Sequence, residues 1–152
     1  MNIKFLSIIC AFMLLMFCSV ASAENSAQNW QLAYKDNIAA FYFDTNTVKT
    51  VGSSDVISSD LRMDISPAML QELTTKYKDR YDTSTWNKIK YSVSSTVYNQ
   101  VNKTLITRNH RFYDSNNNLI TTIDDENKSV VSSDSVQSKV YAAVSQWLYE
   151  NW

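Results

Sequence analysis

Residues 89–123 read IKYSVSSTVYNQVNKTLITRNHRFYDSNNNLITTI, and this stretch decides the fold. In its first part, apolar residues recur at every second position with lysine, serine, threonine and glutamine between them. This alternation is typical of a strand with one buried face. The apolar residues at these alternate positions, predicted to face the core, are Ile89, Tyr91, Val93, Val97 and Val101. Ser95 and Asn99 interrupt the series.

Two more strands follow through short links. A turn at Asn102-Lys103 precedes a predicted strand over Thr104–Tyr113, and a hairpin loop at Asp114–Asn118 precedes the return strand Leu119–Ile123. Links of two to five residues join antiparallel neighbours. The stretch therefore predicts a meander of three antiparallel strands.

Three earlier strands extend this sheet. Trp30–Tyr34 alternates, and Ile38–Phe43 is a continuous apolar run that predicts a strand buried on both faces. Turns are expected at Asp36-Asn37 and at Gly52–Asp55. A third strand, with one solvated face, is predicted from the shared parity of Ile57, Leu61, Met63 and Ile65.

Two helices complete the pattern. Ser66 is a good N-cap before Pro67, and apolar spacings of three and four residues predict a helix from Pro67 to about Tyr81. After a polar loop at Asp124–Ser133, Asp134 is predicted to cap a last helix. The apolar stripe of that helix consists of Val136, Val140, Val144, Trp147 and Leu148.

The predicted fold class is therefore α+β. It is a single antiparallel sheet of about six strands, with a middle helix and a C-terminal helix packed on it. Burial of Trp147 and Leu148 would stabilise the docked C-terminal helix by roughly 2–3 kcal/mol each.

Residues 1–23 are predicted to be a secretory signal peptide. Lys4 precedes an apolar run from Phe5 to Phe17, and Ala21-Ser22-Ala23 fits the cleavage site. The run is short for a transmembrane helix, so no stable membrane anchor is expected after cleavage. Residues 24–29 are predicted to be a flexible lead-in and residues 30–152 one domain. The protein is expected to be exported, to the periplasm or to the cell surface or medium.

Composition excludes several function classes. The net charge of -1 shows no basic excess, so no nucleic-acid partner is expected. A single glycine leaves no phosphate-cradling loop. Both cysteines, Cys10 and Cys18, lie in the signal peptide, so the exported domain is expected to fold without disulfides.

His110 is the only histidine, and we interpret it as a surface residue of its strand with Arg108 on the same face. Neighbouring cations would keep it neutral. An enzyme would need His110 beside an acid or a serine in a cleft. No partner motif is present, so neither catalytic residues nor enzymatic activity are expected.

The loop Asp114–Asn118 resembles the start of a calcium loop, and Asp125 falls at its twelfth position. Leu119 replaces the glycine that such a loop needs, and asparagine is common in plain hairpins. We therefore expect a hairpin loop, no metal site and no cofactor. For protein binding, the aromatic residues hardest to bury are Tyr149 and Trp152, our candidate binding residues.

Several short motifs resemble the surface-adhesin protein E-like family of bacterial exported proteins, over about Trp30 to the C-terminus. They are the early Trp30, the aromatic strand closing on aspartate at Phe41–Asp44, the Tyr113–Asn118 hairpin and Asp134-Ser135-Val136 at the last helix. The resemblance implies a small antiparallel sheet with a C-terminal helix against it. It also implies an envelope or surface location and adhesion to host matrix proteins.

The chain departs from that family in two respects. Family members commonly tie the helix to the sheet by a disulfide, whereas residues 24–152 contain no cysteine, and Asn117 stands where a hairpin glycine is usual. The expected function is a non-enzymatic envelope protein that binds host matrix or envelope proteins through an exposed patch, with no concave polar pocket. The alternative is a periplasmic small-ligand-binding or inhibitor protein, which would require a cavity between sheet and helix.

Overall fold

The computed structural model describes residues 28–152. Within this range one antiparallel sheet carries two helices, which confirms the predicted α+β class. The elements in chain order are β1 (Trp30–Lys35), β2 (Ala40–Asp44), β3 (Lys49–Val51), β4 (Ser53–Asp64), α1 (Pro67–Tyr77), a 3-10 turn (Trp86–Lys88), β5 (Tyr91–Asn99), β6 (Thr104–Tyr113), β7 (Leu119–Ile123), β8 (Asn127–Val130) and α2 (Val136–Glu150).

The sheet has the strand order β1-β2-β4-β5-β6-β7, while β3 pairs with β4 and β8 pairs with β6. Strands β4 and β5 form its centre, in unbroken register from Val56 opposite Asn99 to Asp64 opposite Tyr91. The main path therefore has the six strands expected from the sequence, and β3 and β8 are additions to it.

The two additional strands correct the predicted loops. Residues 127–130, expected to be part of a polar loop, pair with β6 although all four are exposed. Of the predicted turn at Gly52–Asp55, only Gly52 (φ +75°) makes the turn, and Ser53–Asp55 begin β4. Such short, solvated strands carry no hydrophobic alternation, so a periodicity argument does not detect them.

Two apolar residues assigned to strands lie in turns instead. Ile38 is 70% exposed, because Asp36 Oδ1 accepts bonds from the N–H groups of Ile38 and Ala39 and holds the chain in a tight link. Val101 is 74% exposed and lies in a turn in which Asn99 Oδ1 accepts its N–H. The strands are consequently shorter than the apolar runs suggest.

Helix α2 docks on one end of the sheet without any disulfide. Its N-cap is Ser135, whose hydroxyl accepts the Ser138 N–H, and not Asp134 as expected. Val144 is fully buried against Phe43 and Ile57. Trp147 packs edge-on to the Phe43 ring, with centroids 6.0 Å apart. The predicted apolar stripe thus does contact the sheet.

Helix α1 covers the other end. Ser66 caps it as predicted, but the helix ends at Tyr77 instead of Tyr81. Tyr81 lies in the turn that follows the helix and still packs against Tyr77 and Trp86. Its spacing in the sequence is therefore helical although the residue is outside the helix. The core beneath α1 comprises Tyr77, Trp86, Ile89, Phe112 and Ile123.

The predicted signal peptide (1–23) and residues 24–27 of the lead-in lie outside the described residues. Among the helices formed by residues 28–152, none combines the length and apolarity needed to cross a membrane.

Replacing Phe43, which is fully buried between sheet and α2, should test the docking. Phe43→Ala should lower the free energy of unfolding by about 3–5 kcal/mol, because it removes a core ring and leaves a cavity. Tyr149→Ala, at an 88% exposed position, should change it by less than about 0.5 kcal/mol. Urea unfolding followed by circular dichroism measures both, and equal losses would contradict the docking.

Candidate functional site

The inward face of β5 is lined by hydroxyl groups, not by the apolar parity that the sequence predicts. Ser92, Ser94 and Thr96 point toward the helices and line a cavity there. Register with β4 fixes this orientation, because Ser94 lies opposite Leu61, which lines the same cavity. The alternation predicted for this strand is therefore correct, but its direction is wrong within β5. Ile89, which precedes β5, does lie in the core beneath α1.

The apolar residues of β5 lie on the opposite face of the sheet, where arginine and tyrosine side chains cover them instead of a helix. Val93 is 1% exposed and lies in register between Arg62 and Arg111. The Arg62 guanidinium sits 4.0 Å from the centre of the Tyr91 ring, which stacks on Tyr113 at 5.1 Å. Arginine and tyrosine can cover apolar residues in this way, because the aliphatic chain of arginine and the ring of tyrosine pack on them while the polar ends stay in water.

The inward hydroxyls leave a cavity of about 440 Å³ between the sheet and the two helices. Serine fills less volume than the valine or leucine usual at the centre of a core sheet, so the space above β5 stays open. Apolar side chains from both helices and from the neighbouring strands form its walls, among them Leu61, Met63, Leu73, Phe112 and Val140. This size lies in the range of small-molecule sites.

The mouth of the cavity is polar. Glu72 and Lys76, one turn apart on α1, lie at the rim with Asn127 and Gln137, and all four residues are exposed. The rim therefore carries one charge of each sign from α1, whereas the interior offers hydroxyls and one imidazole.

That imidazole belongs to His110, which lies inside the cleft and not on the strand surface as predicted. A β-bulge shifts the register between Val93–Ser95 and Arg108–Arg111, with Asn109 in the left-handed region (φ 54°). The extra residue reverses the side-chain alternation, so His110 lines the cavity while Arg108 stays on the other face, opposite Ser95. Asparagine tolerates this backbone conformation, and this is the only sequence signal of the bulge.

His110 and Ser94 form a hydrogen-bonded pair, with Ser94 Oγ 2.7 Å from His110 Nδ1. On the other side of the ring, Asn127 Nδ2 lies 3.5 Å from Nε2. Burial lowers the pKa of His110 and outweighs the opposing effect of the Asp125 carbonyl. The ring is therefore neutral at neutral pH, mainly because of burial. A cation also lowers the pKa of His110, but it is Lys76 of α1 and not Arg108 or Arg111, the cations expected from the sequence.

A second hydroxyl cluster lies beside α2. Thr96 Oγ1 donates to the Ser59 carbonyl at 2.8 Å and lies 3.2 Å from Ser59 Oγ. The buried Tyr141 hydroxyl makes no well-formed hydrogen bond within the described residues, although Thr96 is near enough to lower its pKa slightly. Burial has the larger effect and raises the pKa of Tyr141, so the phenol is neutral.

Asp114 and Asp125, the two carboxylates considered as calcium ligands, each bind other groups of the protein. Asp114 Oδ1 accepts the N–H groups of Asn116 and Asn118 and thereby holds the hairpin. Asp125 accepts bonds from Arg80 and from the Tyr77 hydroxyl, and these partners lower its pKa. Among residues 28–152, no group of three or more histidine, cysteine, aspartate or glutamate side chains is placed to hold a metal.

The candidate protein-binding residues lie outside the cavity lining. Tyr149 is 88% exposed in the last turn of α2, and Trp152 is 83% exposed beyond it. Their exposure leaves both side chains accessible to a partner, and their binding role stays a prediction.

No protein-family model matches the sequence, and no curated protein matches it significantly. Among solved structures, the fold is similar to that of Haemophilus influenzae protein E. Crystal form II aligns with a TM-score of 0.49 at 11% identity, covering 72% of this chain and 80% of that chain. The selenomethionine form gives 0.45 at 13% identity, covering 74% and 80%. Protein E from non-typeable H. influenzae gives 0.47 at 10% identity, covering 74% and 71%.

This likeness concerns the fold at low identity. None of these TM-scores reaches 0.5, so no residue of this chain takes a role from them. The cavity is the feature of this chain that bears on its function.

As the only histidine, His110 can be titrated by NMR without ambiguity. We expect its pKa to lie below 6.5, because burial disfavours the imidazolium. The unfolded chain then binds this proton first as the pH falls. The contribution of His110 to folding stability should therefore be complete above pH 6.5 and be lost as the pH falls from there to the folded-state pKa.

His110→Gln is the matched control, since it retains a polar side chain without a group that titrates. Urea unfolding between pH 8 and pH 5 should show a smaller loss of stability for this variant than for the wild type. An NMR pKa of 6.5 or above, or identical pH profiles, would show that the ring is not buried in the cleft.

Proposed function

We propose that this chain is an exported, non-catalytic protein that binds a small, mainly apolar ligand in the cavity between its sheet and its helices. The observation that carries this proposal is the cavity above the hydroxyl face of β5. It corresponds to the alternative function considered from the sequence, which requires a space at this place. The adhesin interpretation expected no concave polar pocket.

The composition of the walls supports ligand binding. Small-molecule sites combine apolar walls with a few polar groups that orient the ligand. Here Leu61, Met63 and Phe112 provide apolar surface, while Ser94 and His110 provide a polar pair inside. The polar rim leaves a route for entry between α1 and α2.

The surroundings of Ser94 favour binding over catalysis. A serine beside a histidine is the first part of a nucleophile–base pair, but such pairs also need a group that orients the base and donors for an oxyanion. The Asp125 carboxylate is engaged by Arg80 and Tyr77 instead of orienting the ring.

A protein-binding role is a second candidate, supported by the exposure of Tyr149 and Trp152. Exposed aromatic residues are typical anchors of protein interfaces. If these two bind host matrix or envelope proteins, the double variant Tyr149→Ser, Trp152→Ser should lose at least 80–90% (roughly tenfold) of the captured partner in a pull-down. No capture by the wild type at micromolar concentration would exclude adhesion of this kind.

The location is proposed to be the periplasm or the cell surface. Fractionation of cells that express the tagged full chain distinguishes these compartments. Recovery of the protein only in the cytoplasm would contradict export.

Binding can be measured with the neutral fluorescent probe N-phenyl-1-naphthylamine. We expect saturable binding of one probe per chain and a higher Tm in its presence, because a ligand that binds only the native state stabilises it. Ser94→Leu should weaken binding by about tenfold or more, because the added side chain fills the space that the probe needs.

Ser95→Leu is the matched control, since it makes the same change one residue away on the opposite face. It should leave the affinity within about twofold. Absence of saturable probe binding to the wild type would overturn the proposed function, as would equal weakening by both variants.

A further inference from the structure

A second pocket, of about 420 Å³, lies on the face of the sheet that the helices do not cover. Strands β4 and β5 form its floor, and β3 with the chain that precedes it forms a wall. Ser95 lies in this floor, whereas its neighbour Ser94 lines the cavity beneath the helices. Because adjacent residues of a strand point to opposite faces, the pocket and the cavity are separate sites.

Two cations lie at opposite corners of the pocket floor. Lys49 of β3 is in register with Ser58 of β4, and Arg108 of β6 is in register with Ser95 of β5. Cross-strand partners share one face of the sheet. The two cations start three strand spacings, or about 14 Å, apart, so their long side chains can reach one group placed between them.

Arg108 is the arginine that the fold leaves without a carboxylate. The ion pairs formed within residues 28–152 join Arg62 to Asp64, Arg80 to Asp125 and Arg111 to Asp60. Asp60 lies in the pocket between the two cations, but its Oδ2 is 2.7 Å from Arg111 Nη2. The carboxylate nearest to hand is thus neutralised elsewhere, and the pocket keeps an excess of positive charge.

The floor also holds a hydroxyl whose hydrogen bond is not made. Ser58 Oγ is buried and has no hydrogen-bond partner in the described part of the chain. A buried polar group left unpaired in a native protein calls for a partner such as a bound ion or water. Since Lys49 lies opposite Ser58, an anion drawn to the ammonium arrives beside this hydroxyl.

We propose that this pocket binds the phosphate or sulfate group of a small hydroxyl-bearing molecule, such as a sugar monoester, between Arg108 and Lys49. The planar guanidinium of Arg108 presents paired N–H donors that match two oxygens of such a group. The ammonium of Lys49 supplies a second charge from the other side. Ser95 adds a hydroxyl between them.

The size and polarity of the pocket favour an ester over a bare ion. An inorganic oxyanion fills only part of a space of about 420 Å³, since a water molecule occupies about 30 Å³. The rest of the lining includes Thr47 and Asp60. The Asp60 carboxylate can accept hydrogen bonds from sugar hydroxyls, whereas it repels an additional anion.

The test is isothermal titration calorimetry of the full protein at pH 8 and low salt. Glucose 6-phosphate, glucose 6-sulfate, inorganic phosphate and glucose are compared. We expect saturable binding of one ester per chain, weakened by added salt, and no binding of glucose. Inorganic phosphate should bind at least about threefold more weakly than glucose 6-phosphate, because it lacks the hydroxyl contacts. The tighter of the two esters distinguishes a phosphorylated from a sulfated ligand.

Two pairs of variants locate the site. Arg108→Gln should weaken ester binding by about tenfold or more, the range of a hydrogen bond between charged groups. Lys90→Gln removes the same charge at an exposed position outside the pocket and should change the affinity by less than about twofold. Ser95→Leu should abolish ester binding but not naphthylamine binding, and Ser94→Leu should do the reverse.

The outcomes separate this proposal from the proposed function. Absence of saturable binding of either ester up to about 10 mM would overturn it, as would equal weakening by Arg108→Gln and Lys90→Gln. Inorganic phosphate that binds as tightly as glucose 6-phosphate would overturn the assignment of an ester. Displacement of naphthylamine by the ester would place it in the cavity instead. Naphthylamine binding in the absence of an ester tests the proposed function independently.

Discussion

The structure depends on the direction in which one strand faces. Strand β5 lies at the centre of the sheet, and it presents serine and threonine, not its valines, to the helices. Small polar side chains at that position cannot fill the space beneath two helices, so the core divides. One apolar cluster forms under α1 around Trp86, and others form under α2 around Phe43 and Tyr141. The cavity lies between these clusters.

The divided core holds together without a disulfide between residues 28 and 152, since the chain has no cysteine there. Helix α2 is held by burial of Val144 and by the contact of Trp147 with Phe43. Helix α1 is held by its own aromatic cluster around Trp86 and, at its end, by the Asp125 contacts with Tyr77 and Arg80. Each helix is thus secured separately, which leaves the space between them open.

Much of the fold could be predicted from the sequence, because strongly periodic segments follow elementary rules. The central strands, both helices and the Asp114 hairpin were recognised from alternation, capping and turn residues. The direction in which β5 faces was not predicted, because both of its sets of alternate residues are largely uncharged. The valine side is covered by Arg62 and Tyr91. That cover is a tertiary arrangement, and no local pattern reveals it.

The candidate site escaped prediction for a related reason. His110 was assigned to the strand surface because regular alternation places it with Arg108, and one bulged residue, Asn109, reverses that alternation. Its partner Ser94 was counted only among the residues that separate the apolar positions of β5. Because both residues were assigned to the wrong face of their strands, the hydrogen-bonded pair was not predicted. The sequence instead indicated Tyr149 and Trp152, the exposed aromatic residues, as candidate binding residues.

The most direct test of this account is to determine by NMR which side chains of β5 contact α2. Nuclear Overhauser contacts between the Thr96 methyl group and the Tyr141 ring are expected, with none from the Val93 or Val97 methyl groups to that ring. Contacts from either valine to Tyr141, with the Thr96 methyl group facing solvent, would show that β5 faces the other way and that the cavity does not exist.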